Sequence, residues 1–399
     1  MLEGVDDDVR ARLIVLALIT LFAILVGTTV LGIATNWPRH RTLSGGNSYR
    51  QPKTIDATVT GLDAVRCQAP SARGCSNVTI RLDTGRDKGK SATIRFGDTG
   101  SDAKVGLGDK LLVYKNPLPP GARLAGVKVP PYSFSDFQRQ QPMLWLLALF
   151  VIVVLAAGRF HGLRALVGLA ASLATVIFFV VPAITDGRPP LQVAAFGALG
   201  VMLATIPLVH GGGAKSLAAC LGTAFALLLT LGLADLFTSL AHLSGLTTDE
   251  AVYLQSTSHV SIKGLLLAGM VIGSLGVLGD TTVTQASTVI ALRRANPMLG
   301  WRELVTHATS VGRDHIAATV NTLVLAYTGA ALPVLIIFSL GGTSFGSALN
   351  GEVVAAPVVA TLVGSIGLIA AVPVTTMLAA LLALQLPERR LRGEHVHVH

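Results

Sequence analysis

Eight long apolar runs limit what this chain can become. They cover roughly residues 13–34, 142–158, 163–184, 190–209, 216–243, 264–292, 317–340 and 357–386. About 20 apolar residues in a helix cross the hydrocarbon core of a bilayer. Backbone polar groups at that depth must be satisfied within the segment, so such runs fold as helices. Only 13% of the 399 residues are charged, about half the share usual in soluble chains. The chain therefore reads as a polytopic α-helical membrane protein of about eight transmembrane helices. The first run is longer than the apolar region of a signal peptide, so it is predicted to remain as a helix after a short polar tail, residues 1–12.

Residues 39–140 have another character. They carry seventeen Lys/Arg against eight Asp/Glu, a surplus equal to the net charge of the whole chain, +9. Thr54–Val59, Val78–Leu82, Ala92–Phe96 and Lys110–Tyr114 alternate in polarity between Gly, Asp and Pro turns, the pattern of short strands. The expectation is a small β-rich domain between helices 1 and 2, such as a five-stranded barrel of the OB type. Its basic surplus suits an envelope protein, an anionic lipid or polymer, or simply a solvated face. Interleaved aromatics are missing, which argues against nucleic acid. Cys67 and Cys75 lie close together here. They suit a disulfide outside the cytoplasm, with two free thiols as the alternative.

The short connections set orientation. With a cytoplasmic N-terminus, the cytoplasmic segments (1–12, 158–164, 210–215, 293–316 and 387–399) hold twelve Lys/Arg, and the short outer loops hold Arg188 and Lys263 alone. That bias places both termini inside and residues 39–140 outside. Residues 244–263 form an outer loop patterned enough for an amphipathic or re-entrant piece. Residues 293–316 read as a helix on the cytoplasmic face with Pro297 in its first turn.

The candidate chemistry lies in residues 263–340. Asp280 sits near the middle of an apolar run, where an ionisable group is costly and marks a functional hypothesis. Gly273, Gly276, Asp280, Thr284 and Ser287 recur at steps of three and four and share a helix face, flanked by Thr281 and Thr288. Small residues there are expected to let a neighbouring helix close in and bury the carboxylate within protein. Thr319, Asn321 and Thr322 on the next run are its expected partners, and Tyr327 is expected at similar depth. Arg313, Asp314 and His315 mark the cytoplasmic mouth, as an ion pair or a relay. Asp235 is a second intramembrane carboxylate, nearer the interface. The null assignment for Asp280 is a structural carboxylate that only hydrogen-bonds its neighbours.

Enzyme chemistry finds little footing. His210–Lys215 (HGGGAK) lacks the phosphate-loop spacing and fits a tight inter-helix turn. No zinc-binding H-E-x-x-H occurs, and no metal or cofactor is expected. The C-terminal HVHVH reads as a frayed tail.

Four stretches carry a family resemblance: Tyr132–Phe150, Gly158–Ser172, Gly273–Ser287 and Arg313–Pro333. In them the chain resembles the YibE/F-like integral membrane proteins over most of residues 50–385. The resemblance implies a permease-like seven-helix domain over residues 142–386 in a bacterial-type inner membrane. It also implies that Asp280 and Asn321-Thr322 hold the family's characteristic polar positions. The order of span, external domain, Asp-bearing span and Thr-rich span is similar to SecF and proton-driven RND-type transporters. That similarity implies proton coupling at Asp280. The expected function is a proton-coupled transporter of unassigned cargo; the alternative is a membrane scaffold whose external domain binds an envelope partner. Homo-oligomerisation through the small-residue stripes stays open.

Overall fold

A computed structural model describes residues 2–39, 53–66, 75–96, 104–116, 123–124, 127–128, 130–342 and 344–385. The chain divides into two compact units: Met1–Ser44 with Gly158–His399, and Gly45–Ala157.

The second unit holds the strands. β1 (Thr54–Ala64), β2 (Ser76–Leu82), β3 (Ser91–Phe96), β4 (Lys110–Lys115) and β7 (Tyr132–Phe137) form one antiparallel sheet in the order β3-β2-β1-β4-β7. A small hairpin, β5 (Arg123–Leu124) with β6 (Val127–Lys128), stands apart. Alternate residues turn inward, as a pleated strand requires: Val78, Ile80 and Leu82 on β2 meet Leu111 and Val113 on β4 in one core. The sheet is curved into a half-barrel. Its edge strands approach through the rings of Phe96 and Phe134, 4.8 Å apart, but no ladder joins them among the described residues. The sequence pattern missed β7, because its aromatic residues lead straight into the next apolar run.

One polar knot fastens this unit. Asp87 accepts hydrogen bonds from Lys90 Nζ, Lys115 Nζ and Tyr132 Oη, each at 2.7 Å. Lys115 first, then Lys90 and Tyr132, hold the Asp87 carboxyl well below the ordinary carboxylate range. Burial first, and then Asp87, pushes the Tyr132 phenol up to about 12. A depressed carboxyl pKa adds stability above its unfolded value of 3.8, lost as pH falls. A raised phenol pKa adds stability below its unfolded value of 10.0, lost as pH rises towards 12. In the full-length protein, the protection of the β2–β3 amides, corrected for their intrinsic exchange rate, should fall on acidification below about pH 4. Asp87→Asn should be less protected at neutral pH and should show a much weaker acid step.

The first unit is helical. Among the described residues, seven helical stretches are long and apolar enough to cross a membrane. α1 (Leu2–Thr35) is followed by a run of 46 residues, Gln140–Thr185, containing α2 (Gln140–Thr175), a π-turn (Val176–Val180) and α3 (Val181–Thr185). The others are α4 (Pro190–His210), α5 (Ala214–Leu240), α7 (Ile262–Ala295), α8 (Trp301–Leu340) and α10 (Glu352–Leu384), with short α6 (Asp249–Thr257) and α9 (Phe345–Asn350) between them. The two runs expected at 142–158 and 163–184 thus lie in one continuous stretch. It breaks at Arg159, whose backbone is non-helical (φ 47°, ψ −123°).

One other expectation is corrected. The cytoplasmic-face helix is not a separate element: Pro297 lies in the turn before α8, and α8 runs unbroken for 40 residues from Trp301. Its start is set by Gly300, whose amide donates to Glu303 Oε2 at 2.9 Å. Residues 244–263, expected as a patterned outer loop, contain α6, capped by Thr248, with its connection from α5 fastened by Glu352. That carboxylate accepts from the amides of Ser244 (2.6 Å) and Gly245 (2.5 Å) and from Ser244 Oγ (2.8 Å).

Polarity in this unit is inverted relative to a water-soluble protein. Phe178, Ile337 and Leu340 are exposed, while Thr223, Thr230, Thr282, Thr375 and Thr376 are wholly buried. That distribution fits a lipid-facing exterior with small and polar residues at helix contacts. α5, α7 and α10 form the centre. Thr223 Oγ1 and Thr282 Oγ1 share a hydrogen bond of 2.5 Å. α5 and α10 interlock reciprocally: Thr230 stands over Gly367 and Thr375 over Gly222.

Candidate functional site

α7 shows how the sequence divides labour around one helix. One face carries Thr281, Thr282, Gln285, Ala286 and Val289, all buried. Gln285 Nε2 donates to Ala308 O of α8 (2.8 Å) and to Thr376 Oγ1 of α10 (2.7 Å), tying three helices together. The other face carries Gly273, Gly276, Asp280 and Thr284, all exposed, with Ser287 half-buried. The helix therefore packs on its threonine and glutamine side. The small-residue face stays open, and this corrects the expectation that it would be closed by a neighbour. A Cβ at Gly276 or Gly279 would meet nothing within 4 Å; at Gly273 it would meet Tyr327 Oη at 3.6 Å.

Asp280 lines a cleft of about 520 Å³ between α7, α4 and the end of α2 with its π-turn. His210, the last residue of α4, lines the same cleft. Ser172, Thr175 and Thr205 also line it, each donating its hydroxyl to its own helix backbone at 2.7–2.9 Å. The remaining wall is aliphatic. Among the described residues Asp280 makes no hydrogen bond and no ion pair. A carboxylate without a fixed partner is free to exchange a proton or meet a ligand.

The other sequence-chosen residues distribute unevenly. Thr284 and Ser287 continue the Asp280 face, whereas Thr281 turns into the core, where its Oγ1 finds no partner. Thr319 is half-buried; Asn321 and Thr322 are exposed on α8. Thr319 and Thr322 donate to His315 O and Ala318 O of their own helix. α8 contributes nothing to the Asp280 cleft among the described residues. Two close approaches, Gln285 to Gly312 and Gly273 to Tyr327, set the antiparallel register of α7 and α8. That register places Asp280 level with the turn around Thr319. Tyr327 is level with Gly273, about 10 Å further along, and not at the depth of Asp280. Arg313 and Asp314 are exposed and form no ion pair with each other, while His315 Nε2 is buried without a partner. Asp235 is exposed on α5, away from the cleft. Cys67 lies outside the described residues, so its pairing with Cys75 does too; Cys75 is buried beside β2. Cys220 is a buried free thiol.

His210 and the hydroxyls of α2 and α4 were missed as site residues. The signal available for His210 was its place beside three glycines. Gly211 (φ 81°) and Gly213 (φ 133°) adopt conformations other residues rarely take. The glycines thus form a turn between α4 and α5, and the histidine ends facing the cleft.

The fold and this cleft define a helical bundle of membrane-protein type with a carboxylate midway along α7 in an open groove. A family model described as YibE/F-like protein matches residues 146–385, well over half of the chain. The chain belongs to the YibE/F-like family, and the match contains every helix that lines the cleft. No curated protein and no solved structure matches it.

Proposed function

We propose that the protein is a multi-pass, permease-like transporter coupled to protons through Asp280. The observation that carries this reading is the open, unpartnered state of the Asp280 carboxylate at mid-helix. A structural aspartate would spend its oxygens on neighbouring donors, as Glu352 does on Ser244 and Gly245. In this reading Thr284 and Ser287 extend the polar track below Asp280, and Thr319, with Asn321 and Thr322 beside it, approaches when α8 shifts. The charge bias of the loops orients both termini to the cytoplasm. His210 then marks the inner end of the cleft, and the basic β-domain lies outside, where an envelope protein or anionic lipid meets it. The +9 surplus on that domain favours the second reading, a scaffold recruiting such a partner.

Labelling by an apolar carbodiimide, which attacks protonated carboxyls, tests the site. Asp280 should be the main labelled carboxyl of the helical unit, with labelling rising as pH falls. Equal labelling of an Asp280→Asn protein would remove the support.

A further inference from the structure

The Asp280 cleft is larger than a proton path needs. Protons pass along single files of water and hydroxyls, whereas about 520 Å³ lies in the range of small-molecule sites. Its walls are aliphatic: Leu169, Leu173, Val176, Met202, Ile206 and Leu275. Its polar groups are mostly acceptors. Ser172, Thr175 and Thr205 have already given their protons to backbone carbonyls, so each offers lone pairs and no donor. The Asp280 carboxylate adds one unpaired negative charge. His210 stands at the end of α4 and is exposed; no lysine or arginine lines the cleft. An anion would find few donors there, and a neutral apolar molecule would leave the carboxylate desolvated and unpaired, which is costly.

We infer that this cleft binds an apolar organic cation, its charge against Asp280 and its body against the walls of α2 and α4. The inference rests on the Asp280 reading for its charge and makes that cleft the cargo site. The glycines of α7 are what leave the room, since side chains at Gly276 and Gly279 would project into open space.

Equilibrium dialysis of purified protein in nonionic detergent against radiolabelled tetraphenylphosphonium tests this, with tetraphenylborate as the matched anion. The expected result is saturable binding of the cation, none of the anion, and at least about tenfold weaker binding in Asp280→Asn. Gly276→Leu fills the cleft while keeping the carboxylate and should weaken binding similarly. This second variant decides the matter if Asp280→Asn folds poorly. Failure of the cation to bind, equal binding of cation and anion, or unchanged binding in the folded variants would overturn the inference. Proton flux is read separately: flux without cation binding refutes the cargo assignment alone, and cation binding without flux refutes proton coupling alone.

Discussion

Gly222→Ala is expected to destabilise the helical unit by about 1–3 kcal/mol, the range for overpacking a close-packed contact. A Cβ at Gly222 would stand 2.0 Å from Thr375 Oγ1, 3.0 Å from its Cβ and 3.3 Å from its Cα. Rotating the threonine moves its oxygen, but the backbone of α10 stays in the way. The helices must separate, and Thr223–Thr282 one residue along would loosen with them. Gly367→Ala is the milder case. Its Cβ would meet Thr230 Oγ1 at 2.0 Å but the rest of the side chain only at 3.4 Å, so a rotamer change relieves most of the clash. Gly276→Ala, facing open space, should cost nothing by this mechanism. Thermal unfolding of the detergent-solubilised proteins should rank them Gly222→Ala below Gly367→Ala, with Gly276→Ala at or above wild type. Equal unfolding temperatures for all three would show that the α5–α10 interlock contributes little.

The second large effect is functional. Asp280→Asn keeps size and shape and removes only the titratable charge. Because Asp280 makes no hydrogen bond or ion pair among the described residues, the change breaks no contact. Removing an exposed, unpaired charge should leave unfolding within about 0.5 kcal/mol of wild type. A proton carrier, by contrast, cannot work with an amide, which neither binds nor releases a proton in this range. The substitution should therefore separate function from folding. Thr281→Val should leave both readouts near wild type, since its buried hydroxyl points away from the cleft and finds no partner among the described residues, so no hydrogen bond is lost.

The sequence made the helices legible because the bilayer imposes one solution on a long apolar run. It made β1 to β4 legible because a half-buried strand alternates. It also located Asp280 and the face on which it stands. What it left open was which side of α7 packs. Glycine is equally consistent with close approach and with empty space, and only the tertiary arrangement of α4, α5 and α10 decides between them. Here Thr282 and Gln285 find partners and Gly276 does not. The same limit hid His210, which periodicity cannot connect to a carboxylate 70 positions away. It also placed Asn321 and Thr322 beside Asp280, although α8 turns them outward. The break at Arg159 falls between the runs read at 142–158 and 163–184, so that boundary was legible although both runs lie in one helical stretch.

The central claim is that Asp280 carries protons across the bilayer. Proton flux in proteoliposomes under an imposed pH gradient, wild type beside Asp280→Asn, tests it most directly. The expected result is flux above empty liposomes for wild type, with tetraphenylphosphonium supplied as cargo, and background flux for a mutant that reconstitutes and unfolds like wild type. Equal flux from both proteins, or none from a wild-type protein that binds the cation, would contradict it.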